Sequence, residues 1–447
     1  MQMNNSIRKK TSGAKMWFLV WALGLAGQLS WSTSSQWLNI FVYAKIAKNP
    51  TIITSILICS ALACTFSTFF FGTWADRTGK RRVCISAGYI MWGIFTILFG
   101  LTQFIPTGMY VLAGIVVVAT NTVMSFFGSM GTDAGYNTWT NDIMTEKNSG
   151  QIGAAIATQP VLGMIIGSVV GGLIVGENEN FMALFLAMGI FIIVFGIISM
   201  FSLSKSDDVE PSVRGSFGKQ FFSVFNFRKI VEHKELMWVN ILVSVFFIGF
   251  NIYFPYLGNY LVYYLGYPAH MMGIIEAIPL VIAILVSVPV SGLLNKNKHV
   301  FVSVLAIVLN IIGAFIMFPI KAESIDTSKI FDLRVFIGIF LLGVGYITVL
   351  QTAKVWCKQL YPKDSKGQSE GLWLICYSLI PAVGGSLIGQ AVIKTSGKTF
   401  LDTVSGQMNY IPNGNIFIFG SILITLSLVP VLLAAKHHKK RTKTNKR

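Results

Sequence analysis

The chain reads Gly72-Thr73-Trp74-Ala75-Asp76-Arg77-Thr78-Gly79-Lys80-Arg81-Arg82 between two long apolar segments. Gly79 permits a positive backbone dihedral, and Gly72 permits close approach of another helix. Asp76 supplies an anion that pairs with the adjacent arginines or sits at a neighbouring helix N-terminus. The basic run that follows holds the turn at the cytoplasmic face. The stretch therefore predicts two membrane helices joined by a tight cytoplasmic turn.

The composition indicates a chain that dissolves in lipid, since 53% of the 447 residues are hydrophobic and only 12% are charged. A membrane helix needs about 20 apolar residues. We predict an all-α membrane protein with twelve transmembrane helices in two pseudo-symmetric six-helix bundles. The predicted spans begin near Met16, Thr51, Val83, Met109, Gly150, Phe181, Leu236, Ala269, Val300, Val335, Gly371 and Ile416.

A net charge of +17 could indicate that the protein binds nucleic acid, but the positions of the charges indicate a membrane protein instead. With twelve spans, 28 of the 35 Lys and Arg residues lie in the two tails and in the loops on the same side of the membrane. Because basic residues are retained in the cytoplasm, we predict a multi-pass protein of the cell membrane with both termini cytoplasmic. Lipid, and not nucleic acid, is the expected large partner.

A long polar interval divides the spans six and six. The predicted units are a cytoplasmic N-tail at 1–15, a first bundle at 16–203, a linker at 204–235, a second bundle at 236–435 and a basic C-tail at 436–447. Gly150-Gln151 and Gly367-Gln368 occupy corresponding places in the two bundles, which indicates an internal repeat. The counterpart of the opening stretch, at 292–298, lacks the acid and the second glycine.

Several function classes find no support in the chain. The five cysteines show no CxxC or metal-type spacing and read as packing residues. No phosphate-binding GxxxxGK[ST] loop occurs, and no Ser-His-Asp or metal pattern emerges. We therefore predict neither an enzyme nor a cofactor-binding protein. If the chain moves a solute, by ion-linked symport or by facilitated diffusion, it does so without hydrolysing ATP itself.

The motif G-x-x-x-D-R-x-G-[KR]-[KR] between spans two and three, within two six-helix halves, resembles that of the major facilitator superfamily over almost the whole chain. Trp37–Tyr43 and Asp133–Trp139 resemble the first and fourth helices of the glycoside-pentoside-hexuronide:cation symporters and sucrose-type carriers. This resemblance implies alternating access and a sugar moved with a proton or a sodium ion. It implies that Asp133 helps to bind the sugar. It also implies a conformational latch made by Gly72, Asp76, Arg77, Gly79 and Arg81.

One departure from that branch concerns the coupling ion. Such symporters often carry acidic cation ligands in the first or second helix, and here neither span has an acid before Asp76. The departure disfavours sodium.

Polar side chains at helical spacing mark the candidate substrate site. The fourth span has one continuous polar face, and the first span has a similar stripe, which either lines a cavity or joins helices. The two faces consist of Thr122, Ser125, Ser129, Asp133 and Asn137, and of Gln28, Ser32, Ser35 and Asn39 with Gln36 nearby. Trp31 either stacks on a sugar ring or anchors the helix at the membrane interface.

The seventh span carries a stripe of Asn240, Ser244 and Asn251, followed by five tyrosines between 253 and 264. Those rings suit a polyol ligand, an outer gate or an interfacial aromatic belt, and we favour the belt for Tyr263 and Tyr264. The predicted substrate-binding residues are Asp133, Asn137, Gln28, Trp31, Gln36, Asn39, Asn251, Tyr256 and Trp373.

Three ionisable residues inside spans are the coupling candidates, because a charge near the bilayer centre costs about 2.5 to 3.5 kcal/mol and needs a reason. They are Asp133, Glu276 and Lys354. Asp133 either binds the substrate or a proton or makes a structural bond near the cytoplasmic end of its helix. Glu276 is either a protonatable coupling site or a group that reaches water at the outer vestibule. Lys354 either meets Asp133 across the interface between the halves or extends toward the cytoplasm.

These observations predict a monomeric secondary active transporter that moves a small polar solute, a sugar or glycoside, by proton-coupled symport. The alternatives are an exporter of drugs or amphipathic metabolites and a non-transporting sensor with the same fold. Solute identity and direction of transport are not readable from the sequence.

Overall fold

A computed structural model describes residues 13–145, 148–203, 216–223, 232–287, 289–290, 294, 298–326, 332–362, 366–403 and 405–444. Twelve long helices make up most of these ranges. They are α1 (Ala14–Phe41), α2 (Pro50–Thr78), α3 (Arg81–Leu101), α4 (Thr107–Ile143), α5 (Ser149–Val175), α6 (Phe181–Ser202), α7 (Lys234–Tyr264), α8 (Ala269–Ser287), α9 (His299–Met317), α10 (Leu333–Leu360), α11 (Gln368–Ser396) and α12 (Asn415–Lys439).

Eleven of these helices, α2 to α12, are long and apolar enough to cross a membrane. The first helix has 28 residues, which gives a length of about 42 Å at 1.5 Å per residue. It is less apolar because it carries the polar stripe that ends at Asn39. The predicted all-α membrane architecture is confirmed.

A short antiparallel hairpin connects α11 to α12, formed by β1 (Lys398–Leu401) and β2 (Met408–Ile411). The sequence analysis did not predict it. The last helix continues as helix to Thr444, so most of the predicted C-tail, which was placed from 436 onward, extends α12.

Four of the long helices contain a π-helical turn, in which the hydrogen bonds span one residue more than in an α-helix. These turns are Val42–Ile46 at the end of α1, Met130–Asn137 in α4, Tyr260–Tyr264 in α7 and Ile375–Leu379 in α11. Because π-turns gather at functional sites, their positions direct attention to these four helices.

The helices of the two halves pack in the same pattern. In the first half α1 contacts α5 and α6, α2 contacts α4, and α3 contacts α4 and α6. In the second half α7 contacts α11 and α12, α8 contacts α10, and α9 contacts α10 and α12. Adding six to each helix number converts one set into the other, so the repeat extends to tertiary packing.

The halves meet along two matching seams, α5 against α8 and α2 against α11. At the first seam a Cβ on Gly172 would lie 2.5 Å from His270 O, and one on Gly273 would lie 2.4 Å from Ser168 O. Only glycine allows backbones this close, as in other membrane helix pairs.

The helix bundle has two ends, a linker face and a far face. The linker face carries the turn between α2 and α3 and the short helix Phe217–Ser223, whose Phe217 ring lies 5.3 Å from Phe70 of α2. The opposite far face carries the β-hairpin. The predicted linker at 204–235 is described only at 216–223 and from 232 onward, and 292–298 lies outside the described residues except for Leu294 and Lys298.

Candidate functional site

Hydrogen bonds join the two halves at the far-face end of the interface. Asn39 in α1 donates through Nδ2 to the backbone oxygen of Pro255 in α7 at 2.7 Å. The hydroxyls of Thr54 in α2 and Tyr256 in α7 lie 2.8 Å apart. Asn39 and Tyr256 are predicted substrate-binding residues, but in this conformation both are buried and bind the opposite half.

Tyr263 belongs to the same set of contacts. Its hydroxyl donates to Ile40 O at 3.3 Å, and its ring centroid lies 5.6 Å from that of Tyr43 in α1. The interpretation of Tyr263 as part of an aromatic belt is therefore wrong, since the residue joins the halves. Tyr264 stacks on Tyr260 at 5.3 Å, within its own helix.

Asn259 lies between Tyr256 and Tyr263 along α7, three residues from one and four from the other, and so on the same helix face. Its side chain is fully buried, and neither Nδ2 nor Oδ1 has a hydrogen-bond partner among the described residues. An unpaired buried amide costs about 1 to 3 kcal/mol. The closed far face therefore contains one destabilising element among its stabilising contacts.

The β-hairpin supplies an ion pair that closes the far face. Asp402, fully buried, accepts from the backbone N–H of Lys48 at 3.1 Å and from its Nζ at 3.4 Å. Lys48 lies between α1 and α2, and its Nζ is also 5.4 Å from the Tyr263 ring centroid. Ser405 and Asn409 of the hairpin donate to the same carboxylate at 2.7 and 3.3 Å. We call this group the far-face clamp.

Sequence reasoning missed the far-face clamp. Asp402 is the only acidic residue between α11 and α12, in a segment that contains the turn pair Ser405-Gly406. Such a lone acid next to a turn was the available signal. Its partner Lys48 is 354 positions away in sequence, and no local pattern connects them.

The π-helical turn of α4 holds Asp133. Its carboxylate accepts from Ser129 Oγ at 2.9 Å and from Asn137 Nδ2 at 3.3 Å, and Ser129 also lies 2.7 Å from the Thr68 hydroxyl of α2. Asp133 and Asn137 keep partial exposure. Asp133 is thus a hydrogen-bonded carboxylate on the polar face predicted for this helix, with no cation paired to it among the described ion pairs.

The stripe on α1 divides at Asn39. Between Asn39 and the linker face, Gln28 and Ser32 are half-buried and Ser35 is exposed. Gln36 accepts from Ser168 Oγ of α5 at 2.8 Å, so it joins helices of the first half. Both expected roles of polar stripes thus occur on one helix.

Trp31 lies beside this stripe and is held by its own half. Its indole N–H donates to Thr132 Oγ1 at 3.2 Å, and its ring centroid lies 4.9 Å from that of Trp92. The ring is half-buried, so one part of it stays accessible.

Lys354 in α10 forms an ion pair with Glu370 of α11 at 2.6 Å, and its Nζ lies 4.6 Å from the Trp373 ring centroid. The predicted meeting with Asp133 across the interface does not occur in this conformation. The side chains of Lys354 and Glu370 are 31% and 45% exposed, so the pair borders an accessible space.

The stripe on α7 serves the second half itself. Asn240 donates to Leu236 O at 2.9 Å and Ser244 to Cys376 O of α11 at 3.1 Å. Asn251, a predicted substrate-binding residue, donates to Phe247 O at 2.8 Å and remains half-buried. Ser244 joins α7 to α11, whereas Asn240 bonds within α7. Ser244 and Asn251 both retain accessible surface.

Glu276 lies in α8, buried, at the seam between the halves. A Cβ added to Gly258 of α7 would lie 3.6 Å from its Oε1 and 3.1 Å from Cδ1 of Ile40 in α1. The carboxylate therefore faces a place where helices of both halves meet.

The opening motif forms the turn that its sequence predicts. Gly79 has φ 72°, and Arg81, the first residue of α3, binds Asp76 of α2 at 2.5 Å and Asp142 of α4 at 3.0 Å. We call these three charged residues the linker-face cluster. In this conformation no other helix lies close to Gly72, because a Cβ there would meet nothing within 4 Å beyond its own stretch of helix.

The family is shown by comparison with known proteins. A family model for the Major Facilitator Superfamily matches residues 16–385 and 241–447. The chain belongs to the Major Facilitator Superfamily, and is thus a membrane transporter and not an enzyme. No curated protein sequence matches the chain.

Solved structures show the same fold at low identity. A mutant of the nucleoside transporter NupG superposes with a TM-score of 0.71 at 11% identity, covering 93% of this chain and 99% of that chain. A bacterial homolog of the human lysosomal transporter Spinster, in an inward-facing and unoccupied conformation, gives 0.72 at 14% identity and covers 95% and 98%. At such identities the likeness establishes the fold alone.

Proposed function

We propose that this protein is a proton-coupled symporter for a small polar solute, a sugar or glycoside, in the cell membrane. The observation that carries the proposal is Asp133, a partly exposed carboxylate with hydrogen-bond partners and no described cation, on the polar face of α4. Such a group binds solute hydroxyls when ionised and carries a proton when neutral.

The conformation supports alternating access. The polar contacts described between the halves involve residues 39–54 of the first half and 255–263 and 386–410 of the second, at the far-face end. Toward the linker face, Asp133, Lys354 and Glu370 remain accessible. If the linker face is cytoplasmic, as the distribution of basic residues indicates, this is an inward-facing state.

Proton coupling follows from how the carboxylates change surroundings. Asp133 keeps some accessible surface in this state. We propose that this surface opens to the linker side, where the carboxyl exchanges its proton. Closing the linker side would exclude water from Asp133, and a carboxylate in an apolar, dry site is favoured in its neutral form. Glu276 is the second candidate, because opening the far face would expose its carboxylate where the halves now meet.

The second half contributes a charge pair that a solute can rearrange. The bond between Lys354 and Glu370 lies at an accessible surface, so it gains little from low dielectric and can open. A solute hydroxyl or ring can then bind the freed ammonium. The monomer holds all of these residues, so one chain is sufficient for the proposed cycle.

The test is solute-driven proton uptake in proteoliposomes that contain the purified protein and an internal pH indicator. A transported glycoside is expected to acidify the lumen, and Asp133→Asn is expected to abolish that signal while the protein stays folded. Asp332→Asn, at an acid outside the spans, is the matched control and keeps full uptake. Flux without proton movement would overturn symport, and unchanged flux in Asp133→Asn would overturn the role of Asp133.

A further inference from the structure

We infer that the solute carries a planar aromatic ring, as a nucleoside or an aryl glycoside does, and that this ring binds to an aromatic strip on the second half. This inference rests on the proposed function and specifies its substrate class. The aromatic strip comprises Phe247, Phe250 and Phe254 of α7, Tyr346 of α10, and Trp373 and Tyr377 of α11.

The strip is continuous from the middle of α7 to the Lys354 pair. Phe254 and Phe250 stack at 4.6 Å and 24°, and Phe250 stacks on Tyr346 at 4.6 Å and 14°. Phe247 contacts both tyrosines, and Tyr377 stacks on Trp373 at 5.8 Å and 14°. Phe254, Phe250 and Tyr346 thus form one near-parallel stack, and Tyr377 and Trp373 form a second. Phe247 joins the two stacks edge-on, at 78° and 79°, and the Lys354 ammonium lies over the Trp373 end.

Part of this surface is accessible between the halves. Phe254 is 38% exposed, although its ring lies only 6.3 Å from Tyr346 of α10. The next residue, Pro255, accepts the hydrogen bond from Asn39 of the first half. Phe254 therefore lies just linker-ward of the point where the two halves close, and Tyr346 and Tyr377, both half-buried, continue the surface away from it.

The facing wall is polar. On α1, Ser35 is one helical turn linker-ward of Asn39, and Ser32 and Gln28 follow at one-turn spacing. All three keep accessible surface. Since Asn39 binds Pro255, these side chains lie at about the same level along the helix axes as Phe254 and the residues one turn closer to the linker face. One wall thus offers hydroxyl and amide groups, and the other offers ring faces.

This asymmetry favours an aromatic ring joined to a sugar over a sugar alone. A pyranose carries hydroxyls around its whole edge, and along the strip only the two tyrosine hydroxyls and the indole N–H of Trp373 are polar. A planar ring without hydroxyls matches stacked phenyl and indole faces, since aromatic stacking favours parallel offset rings. The sugar of such a solute can then bind the α1 stripe and Asp133.

The experiment compares binding of matched pairs to the purified full chain, in which each pair shares a sugar. One pair is 4-nitrophenyl β-glucoside and methyl β-glucoside, and the other is uridine and ribose. The ring-bearing member of at least one pair is expected to bind about tenfold tighter, the size of one aromatic stacking contact. The pair in which the ring-bearing member binds more tightly shows whether the solute is an aryl glycoside or a nucleoside.

Substitutions at Phe254 test whether the aromatic ring of the solute binds to the strip. Phe254→Leu is expected to remove the preference within the responding pair, whereas Phe254→Tyr keeps it. Phe315→Leu, at an exposed ring of α9 that contributes nothing to the strip, is the matched control and changes no affinity.

Equal binding within both pairs, no binding in either, or an unchanged preference in Phe254→Leu overturns this inference. Other outcomes distinguish failure of the proposed symport from failure of the aromatic-ring inference. Methyl glucoside that drives proton uptake supports symport and contradicts the ring requirement, whereas ring-selective binding without any flux supports the strip and contradicts transport of these solutes.

Discussion

The linker-face cluster and the far-face clamp use the same chemistry at opposite faces of the molecule. In the cluster a buried Arg81 lies between Asp76 and Asp142, and in the clamp a buried Asp402 binds Lys48. The cluster joins α2, α3 and α4 within one half, whereas the clamp joins one half to the other. A charged contact thus stabilises either the shape of one half or the relative position of the two halves, depending on which helices it connects.

The largest effect is expected from Asp402→Asn. The amide keeps the shape of the side chain but loses its charge, and a charge-assisted contact to a buried group is worth about 2 kcal/mol, or about thirtyfold in an equilibrium. The far-face-open population should rise by that factor. Spin labels at Asn178 and Glu323, on exposed far-face loops of the two halves, would report it as a longer distance in a variant whose five cysteines are replaced.

The matched control for this change is Ser405→Ala, which removes one donor to Asp402 without touching Lys48. It should shift the same distance distribution much less. If the spin-label distance shifted equally in both variants, the hairpin itself would have unfolded. The Asp402–Lys48 contact would then not be the cause of far-face closure.

A smaller shift in the same direction is expected from Lys48→Met. The backbone N–H of residue 48 still donates to Asp402, so only the ammonium contacts are lost, worth about 1 kcal/mol or about fivefold. The same pair of spin labels measures it. A shift as large as that of Asp402→Asn would show that the backbone bond contributes nothing.

Arg81→Ala tests whether the linker-face cluster stabilises only the first half. Because the cluster lies within the first half, we expect lower thermal stability and an unchanged far-face distance. Losing a buried guanidinium that binds two partly exposed carboxylates should lower Tm by about 5 °C, measured in detergent by tryptophan fluorescence. A change in the label distance would contradict the assignment of the cluster to one half.

The smallest effect is expected from Asp332→Ala, at a far-face ion pair with Arg334 that lies within the second half. The hydrogen bond from Arg334 lowers the pKa of Asp332. Its contribution, below about 1 kcal/mol, is therefore complete at neutral pH and is lost as the pH falls through that lowered pKa. Tm at two pH values tests this, and the label distance should not respond at all.

Much of the fold could be predicted because it rests on local signals. Apolar length predicts twelve spans, and the glycine and charges around Asp76 predict a tight turn with an acid–arginine contact, which Arg81 provides. No helix approaches Gly72 in this conformation, and a glycine in a helix does not by itself reveal whether another helix is nearby.

The candidate site was harder to predict because its chemistry depends on which half lies opposite. The stripe on α1 correctly marks a polar face, but periodicity does not distinguish Asn39, which closes the far face, from Ser35, which remains open. For Lys354 the sequence predicts either Asp133 of the other half or the cytoplasm, and the fold instead pairs it with Glu370 of the neighbouring helix α11. The far-face clamp depends on a contact between residues 48 and 402, which no local pattern encodes.

The π-helical turn in α4 has a consequence for the geometry of its polar ladder. Ser125, Ser129, Asp133 and Asn137 follow at intervals of four, and in a regular α-helix each such step overshoots a full turn by about 40°, so the last would point well away from the first. The wider π-turn rotates less per residue and cancels part of this drift. The ladder is thus straightened along the helix axis, and a return of this segment to regular winding would rotate Asp133 relative to Ser125 without breaking the helix.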